Sequence, residues 1–184
     1  MLDRLKSIFA EERTMSNKVS AGSKMPSIEV PTIDNRSLNL NNKKLKWTLL
    51  VVYRGLHCPI CKDYARKLED KIAQFEELET ELIFISADTK ERANDFAEEL
   101  ALKSTVAYSL SVPQMKQLGL YLSDPRPNEI DYVFPEPGLF LINNNAEIHI
   151  VEISNAPFIR PDIDLIIRGI NHIKTNKYPI RGTH

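Results

Sequence analysis

Apolar residues recur along this chain at spacings that switch between two and three to four, and the switches mark its elements. Residues 1–15, MLDRLKSIFAEERTM, put Leu2, Leu5, Ile8 and Phe9 on one helical face, which predicts a short amphipathic helix. Residues 16–26, SNKVSAGSKMP, are small and polar and read as a linker. SIEVPTIDNRSLNL predicts two short strands around the turn dipeptide Asp34-Asn35, and Pro31 suits an edge position. TLLVVY, residues 48–53, is an unbroken apolar run too short for a helix, which predicts a central strand buried on both faces.

A helix is then expected over residues 59–78, where Tyr64, Leu68, Ile72, Phe75 and Leu78 keep helical spacing and charged residues fill the other face. ELIFISAD, residues 81–88, predicts a second buried strand. Thr89 is placed to cap a helix to about residue 102, with Ala93, Phe96, Ala97 and Leu100 inward. A strand near 105–110 and a helix through PQMKQLGLY follow. Residues 123–137 carry Pro125, Pro127, Pro135 and Pro137 and read as a long loop, a kind often functional. LFLI and EIHIVEIS flank Asn143-Asn144-Asn145 as a hairpin. A last helix opens at Pro161 or Asp162 and buries Ile163, Ile166, Ile167, Ile170 and Ile173. The order predicts an α/β fold, a central mixed sheet with helices on both faces, spanning residues 27–176 with a tail over 177–184.

Composition narrows the function. The chain has 184 residues, of which 42% are hydrophobic and 27% charged, ordinary values for a soluble globular domain that needs no staple to fold. Its 24 basic and 25 acidic residues nearly cancel, so it carries no electrostatic footprint for nucleic acid or an anionic membrane. No apolar run is long enough to span a bilayer. The first residues lack an apolar core and cleavage site, so the expected compartment is cytoplasmic and reducing, where a static disulfide is improbable.

Against that background the only two cysteines, Cys58 and Cys61, carry the chemistry. The order is buried strand, short loop, Cys58-Pro59-Ile60-Cys61, helix. Cys58 then falls near the N-cap and Cys61 in the first turn, where unpaired N–H groups and the helix dipole favour a thiolate. Pro59 suits the first helical position because its missing N–H would go unpaired. Two intervening residues let the sulfurs close into a small ring, so the pair can cycle between dithiol and disulfide. A metal is the competing reading. One CxxC offers two ligands where structural zinc wants four, and His57, His149, His172 and His184 show no ligand spacing, so neither metal nor cofactor is expected.

TLLVVYRGLHCPICKDYARKLE resembles the active-site segment of the thioredoxin superfamily. More closely it resembles the peroxiredoxin-like branch of the alkyl hydroperoxide reductase and thiol-specific antioxidant (AhpC/TSA) family, where Tyr-Arg-Gly precedes Cys-Pro-x-Cys. The resemblance runs over residues 22–174, through PQMKQLGLY, PGLFLINNNAEI (Asn143 and Ala146 standing for the family's Asp and Gly) and APFIRPD. It implies a thioredoxin-like fold and an antioxidant thiol oxidoreductase. It also implies departures. In the family's Pro-x-x-x-Thr-x-x-Cys, Arg54 takes the proline position, Cys58 the threonine and Cys61 the attacking cysteine. Pro137 takes the arginine position, which is instead the thioredoxin pattern, where a cis-proline faces the disulfide.

Two mechanisms stay open. Cys58 attacks a substrate disulfide and Cys61 resolves it, or one cysteine reduces a peroxide and the other condenses with the sulfenic acid. Each implies an external thiol reductant, a thioredoxin-like protein or glutathione, and both are compatible with a homodimer. Arg54 either reaches over the site or faces solvent. His57 either stabilises the thiolate or fills space. Tyr53 is expected to pack beneath the loop and Arg160 to hold a surface contact, while the 123–137 segment either covers the cysteines or forms a rigid surface excursion. The alternative class is a non-catalytic thiol module that senses oxidation or binds a metal or partner.

Overall fold

A computed structural model describes residues 19–44, 46–127 and 129–184. The helix expected over 1–15 and the first part of the 16–26 linker lie outside the described residues.

The sheet that carries the site has five strands: β3 (Trp47–Val52), β4 (Thr80–Ile85), β5 (Thr105–Ala107), β8 (Gly138–Ile142) and β9 (Ile148–Ile153). Their order is β5-β4-β3-β8-β9. β3 runs parallel to β4, and β4 to β5, while β8 and β9 are antiparallel additions. The apolar run at 48–53 is thus the middle strand, buried on both faces, as a doubly covered strand must be. The predicted N-terminal hairpin is β1 (Glu29–Pro31) with β2 (Ser37–Asn39), turning at Asn35, whose φ is 64°.

Among the described residues five helices cover the sheet unequally: α1 (Pro59–Glu69), α2 (Ile72–Glu77), α3 (Lys90–Glu99), α4 (Val112–Gln117) and α5 (Ile163–Asn176). One face joins Leu49, Val51, Leu82 and Phe84 to Leu68, Phe75, Phe96 and the Ile163, Ile166, Ile170 and Ile173 stripe of α5. The other packs Leu50, Val52, Ile83 and Ile85 against Met115 of α4 and Ile28 and Val30 of the hairpin. Side chains alternate across β3 and β4, so one pair of strands feeds both cores. Each fully buried Leu, Ile or Phe contributes about 1.5–3 kcal/mol.

Two expectations change. The helix predicted over 59–78 is two helices. Lys71 N–H bonds the Leu68 carbonyl at 3.0 Å, a tight turn that ends α1, and Lys71 leaves helical geometry with ψ 10°. The break lets fully buried Leu68 and Phe75 both face the core, and no Gly or Pro announces it. The 123–137 segment is also more ordered than a loop. β6 (Leu122–Ser123) pairs antiparallel with β7 (Phe134–Pro135), so the excursion closes on itself.

Candidate active site

β3 aims the site. Its last strand-like bond, Tyr53 N–H to the Ile85 carbonyl at 3.0 Å, sets the chain at the C-terminal edge of the sheet. Tyr53 then packs under the loop, stacked on Phe96 with ring centroids 4.1 Å apart. Residues 54–57 turn the chain, and Cys58 N–H closes the turn on the Gly55 carbonyl at 3.1 Å. Cys58 is the N-cap of α1, Pro59 its first residue, and the Cys58 sulfur accepts the Cys61 N–H at 3.2 Å. A helix leaves such N–H groups without intrahelical partners, so a sulfur at this position is electrostatically favoured as an anion.

Cys58 and Cys61 are joined by a disulfide with their Cα atoms 5.3 Å apart. Both residues are only 1% exposed. The two sulfurs are therefore held together in one helical turn, sealed from bulk solvent.

Arg160 is the residue that sequence reasoning undervalued. It does not make an ordinary surface contact: its Nη2 donates to Cys61 Sγ at 3.0 Å. The guanidinium lies 5.0 Å from the Tyr64 ring centroid, and its Nε donates to the Pro157 carbonyl at 3.1 Å. Tyr64 in turn donates its hydroxyl to the Pro161 carbonyl at 3.0 Å. Burial holds Arg160 down to about 10, with the Tyr64 phenol and Glu136 pulling the other way. It remains a cation at neutral pH, and among the described residues it forms no ion pair with a carboxylate. The Arg-Pro pair before the last helix was the available signal, but nothing local said which way Arg160 would turn.

Arg54 and His57 face a different neighbour. Arg54 Nε lies 3.2 Å from Glu136 Oε1, and its guanidinium sits 4.7 Å from the Phe134 ring. His57 packs edge-on against Phe134 and has Nε2 3.7 Å from Glu129 Oε1. Neither ring nitrogen has a hydrogen-bond partner among the described residues. Desolvation holds the imidazole below its ordinary value, with Glu129 opposing. Hydrogen bonds from Arg126 hold Glu129 down to about 2, so it is a fixed anion. Arg54 thus neither faces solvent nor reaches the sulfurs; it and His57 seat the 123–137 excursion beside the cysteine loop. Glu129 and Glu136 carry no motif and were not foreseen.

Pro137 is buried and trans, for no cis peptide bond occurs among the described residues. Glu136 N–H bonds the Tyr121 carbonyl and the Pro137 carbonyl takes the Ser154 N–H, which keeps the backbone extended into β8. Pro137 holds the place where the thioredoxin pattern has a cis-proline, and here it is trans; it lines a small cleft with Val51, Tyr64, Leu139 and Arg160. Among the described residues no group of three or more His, Cys, Asp or Glu stands together to hold a metal, and no helix is long and apolar enough to cross a membrane.

Comparison with known proteins follows the same lines. No curated protein matches the sequence. Among solved structures, the reduced 2-Cys peroxiredoxin of Plasmodium vivax is similar with a TM-score of 0.72 at 21% identity, covering 89% of this chain and 89% of that one. A peroxidoxin of Mycobacterium tuberculosis is similar with a TM-score of 0.70 at 17% identity, over 84% and 98%. A peroxiredoxin 6 mutant of Arenicola marina is similar with a TM-score of 0.71 at 14% identity, over 86% and 75%. At such identities the likeness shows the fold, which is the thioredoxin-like one of peroxiredoxins. The sequence itself matches the AhpC/TSA family over residues 21–151, a span that holds the five strands almost to the end of β9, together with Cys58 and Cys61. With strand order, cysteine placement and sequence in agreement, the chain belongs to the AhpC/TSA family.

Proposed function

We propose that this chain is a two-cysteine thiol peroxidase in which Cys61 attacks the peroxide and Cys58 resolves the product. The observation that carries the assignment is the 3.0 Å contact between Arg160 Nη2 and Cys61 Sγ. A cation with no carboxylate partner among the described residues, half-removed from water beside a sulfur, favours the thiolate over the thiol. The further N–H groups of the guanidinium suit the oxygens of a peroxide, the role that the missing family threonine and arginine would otherwise fill.

The steps balance without a cofactor. The Cys61 thiolate attacks one peroxide oxygen, the O–O bond breaks, and Cys61–SOH forms while the other oxygen leaves as water or an alcohol after taking a proton. The Cys58 thiol then displaces hydroxide from Cys61, water is released, and the disulfide closes. An outside thiol donor, a thioredoxin-like protein or glutathione, returns two electrons and two protons by exchange. Pro59 shapes the helix start, Arg54 and His57 seat the 123–137 excursion, and Pro137 walls the cleft beside Arg160. Burial of both sulfurs suits a small peroxide as the oxidant. A cytoplasmic protein, working alone or as a homodimer, fits this cycle because the donor must be in steady supply.

Rapid quench of the reduced protein with stoichiometric hydrogen peroxide, read by intact mass, tests the proposal. Loss of two hydrogens far faster than a free cysteine reacts is the expected result. A rate like that of free cysteine would turn the reading to disulfide exchange or oxidation sensing.

A further inference from the structure

Asp88 lies just past the end of β4 and is 0% exposed. Its Oδ2 accepts the Leu56 N–H at 2.8 Å, and its Oδ1 accepts the Tyr132 hydroxyl at 2.5 Å and Arg92 Nε at 3.3 Å. A buried carboxylate is costly unless it is paired and hydrogen-bonded. Here the donors come from three separate segments: the loop before Cys58, the 123–137 excursion and α3. The backbone that carries this carboxylate is also tied down: the Asp88 N–H bonds Ser86 Oγ at 3.2 Å and the Asp88 main-chain carbonyl takes the Ser109 N–H at 2.9 Å. Gly55 shows how closely the loop is drawn in. Its φ is +141°, and a Cβ there would lie 2.7 Å from Asp88 Oδ1 and 2.9 Å from His57 Nδ1.

We infer that Asp88 is a positioning residue for the redox pair: its carboxylate fixes the loop that ends in Cys58 and, through Tyr132, ties the 123–137 excursion to that loop. The two halves of the cycle then depend on different supports. Attack uses Cys61 and Arg160, held by α1 and the residues before α5. Ring closure, in which the Cys58 thiol displaces hydroxide from Cys61–SOH and water leaves, also needs Cys58 in reach. Cys58 sits at the end of the segment that Asp88 holds.

Asp88→Asn and Tyr132→Phe, each in the full chain, test this. After rapid mixing with hydrogen peroxide, intact mass separates one added oxygen from the loss of two hydrogens. Closure is expected to slow about tenfold relative to attack in Asp88→Asn, the scale of a lost hydrogen bond to a charged group. Tyr132→Phe is expected to slow it by a smaller factor, and in both variants the sulfenic acid accumulates. Titration with glutathione should show the disulfide weakened about tenfold in Asp88→Asn, or about 30 mV. The kinetic arm rests on the peroxidase cycle proposed above and the titration does not, so a slow wild type sinks that cycle while the titration still judges Asp88. Should Asp88→Asn fail to fold, Tyr132→Phe carries both readouts. Wild-type closure and titration in a folded variant would overturn the inference. So would equal slowing of attack and closure, which marks a purely structural role.

Discussion

The guanidinium of Arg160 stands 3.0 Å from the sulfur of Cys61, although 99 residues separate the two along the chain. The contact joins the first turn of α1 to the residues before α5, across the face that Leu68 and Ile166 fill. It puts a cation at a sulfur where the sequence offers no charged residue between the cysteines.

Replacing that cation should slow the chemistry more than it harms the fold. Arg160→Met is expected to lower the rate of peroxide attack about a hundredfold, the scale of losing one donor at a reacting centre. In a Cys58→Ser background, alkylation of Cys61 by iodoacetamide should titrate nearer the free-cysteine value of about 8.5. Arg160→Lys should recover part of both. Rates equal to the wild type would reduce Arg160 to packing on Tyr64.

The two cysteines should fail differently. Cys61→Ser is expected to abolish reaction with peroxide. Cys58→Ser should still be oxidised once, to a sulfenic acid that intact mass detects, and then stall without turnover. If either variant turned over at the full rate, the two-cysteine cycle would be wrong.

His57 ties stability to pH. Burial favours its neutral ring in the folded protein and holds it below the ordinary imidazole value. As pH falls through about 6.5 the unfolded chain takes up the proton first, so stability is lost from there down to the folded-state value. Urea midpoints measured at neutral and mildly acid pH should fall further for the wild type than for His57→Gln. Parallel losses would place the acid sensitivity elsewhere.

Ala101 gives a test free of the active site. It is exposed and follows α3 with φ 50°, the left-handed position where helices favour glycine. Ala101→Gly relieves a strain of about 1–2 kcal/mol against about 0.4–1 kcal/mol of added chain entropy in the unfolded state. A modest rise in urea midpoint is expected, with peroxide reactivity unaltered. A fall in the midpoint would mean the left-handed turn carries no strain.

Much of the scaffold was readable from local pattern. β3 is an uninterrupted apolar run, the α5 stripe repeats isoleucine at helical spacing, and Thr89 and Asp162 cap α3 and α5 through their own side chains. The break after Glu69 was not readable, because Asp70 and Lys71 are ordinary helix residues and the bend is set by where Leu68 and Phe75 must pack. The pairing of β6 with β7 was hidden as well, since two-residue strands make no pattern.

The site divides along the same line. Cysteine spacing, the strand before and the helix after are neighbours in sequence, so periodicity and capping rules determined that Cys58 and Cys61 share one turn at a helix N-terminus. The tertiary structure decided which charges meet that turn. Arg160 at Cys61, Glu136 and Glu129 at Arg54 and His57, and Asp88 at Leu56 and Tyr132 are contacts across the fold. A lone arginine or carboxylate reads the same in sequence whether it faces water or a sulfur. Its direction is settled only when the sheet twists, the helices pack and each buried charge must find a partner.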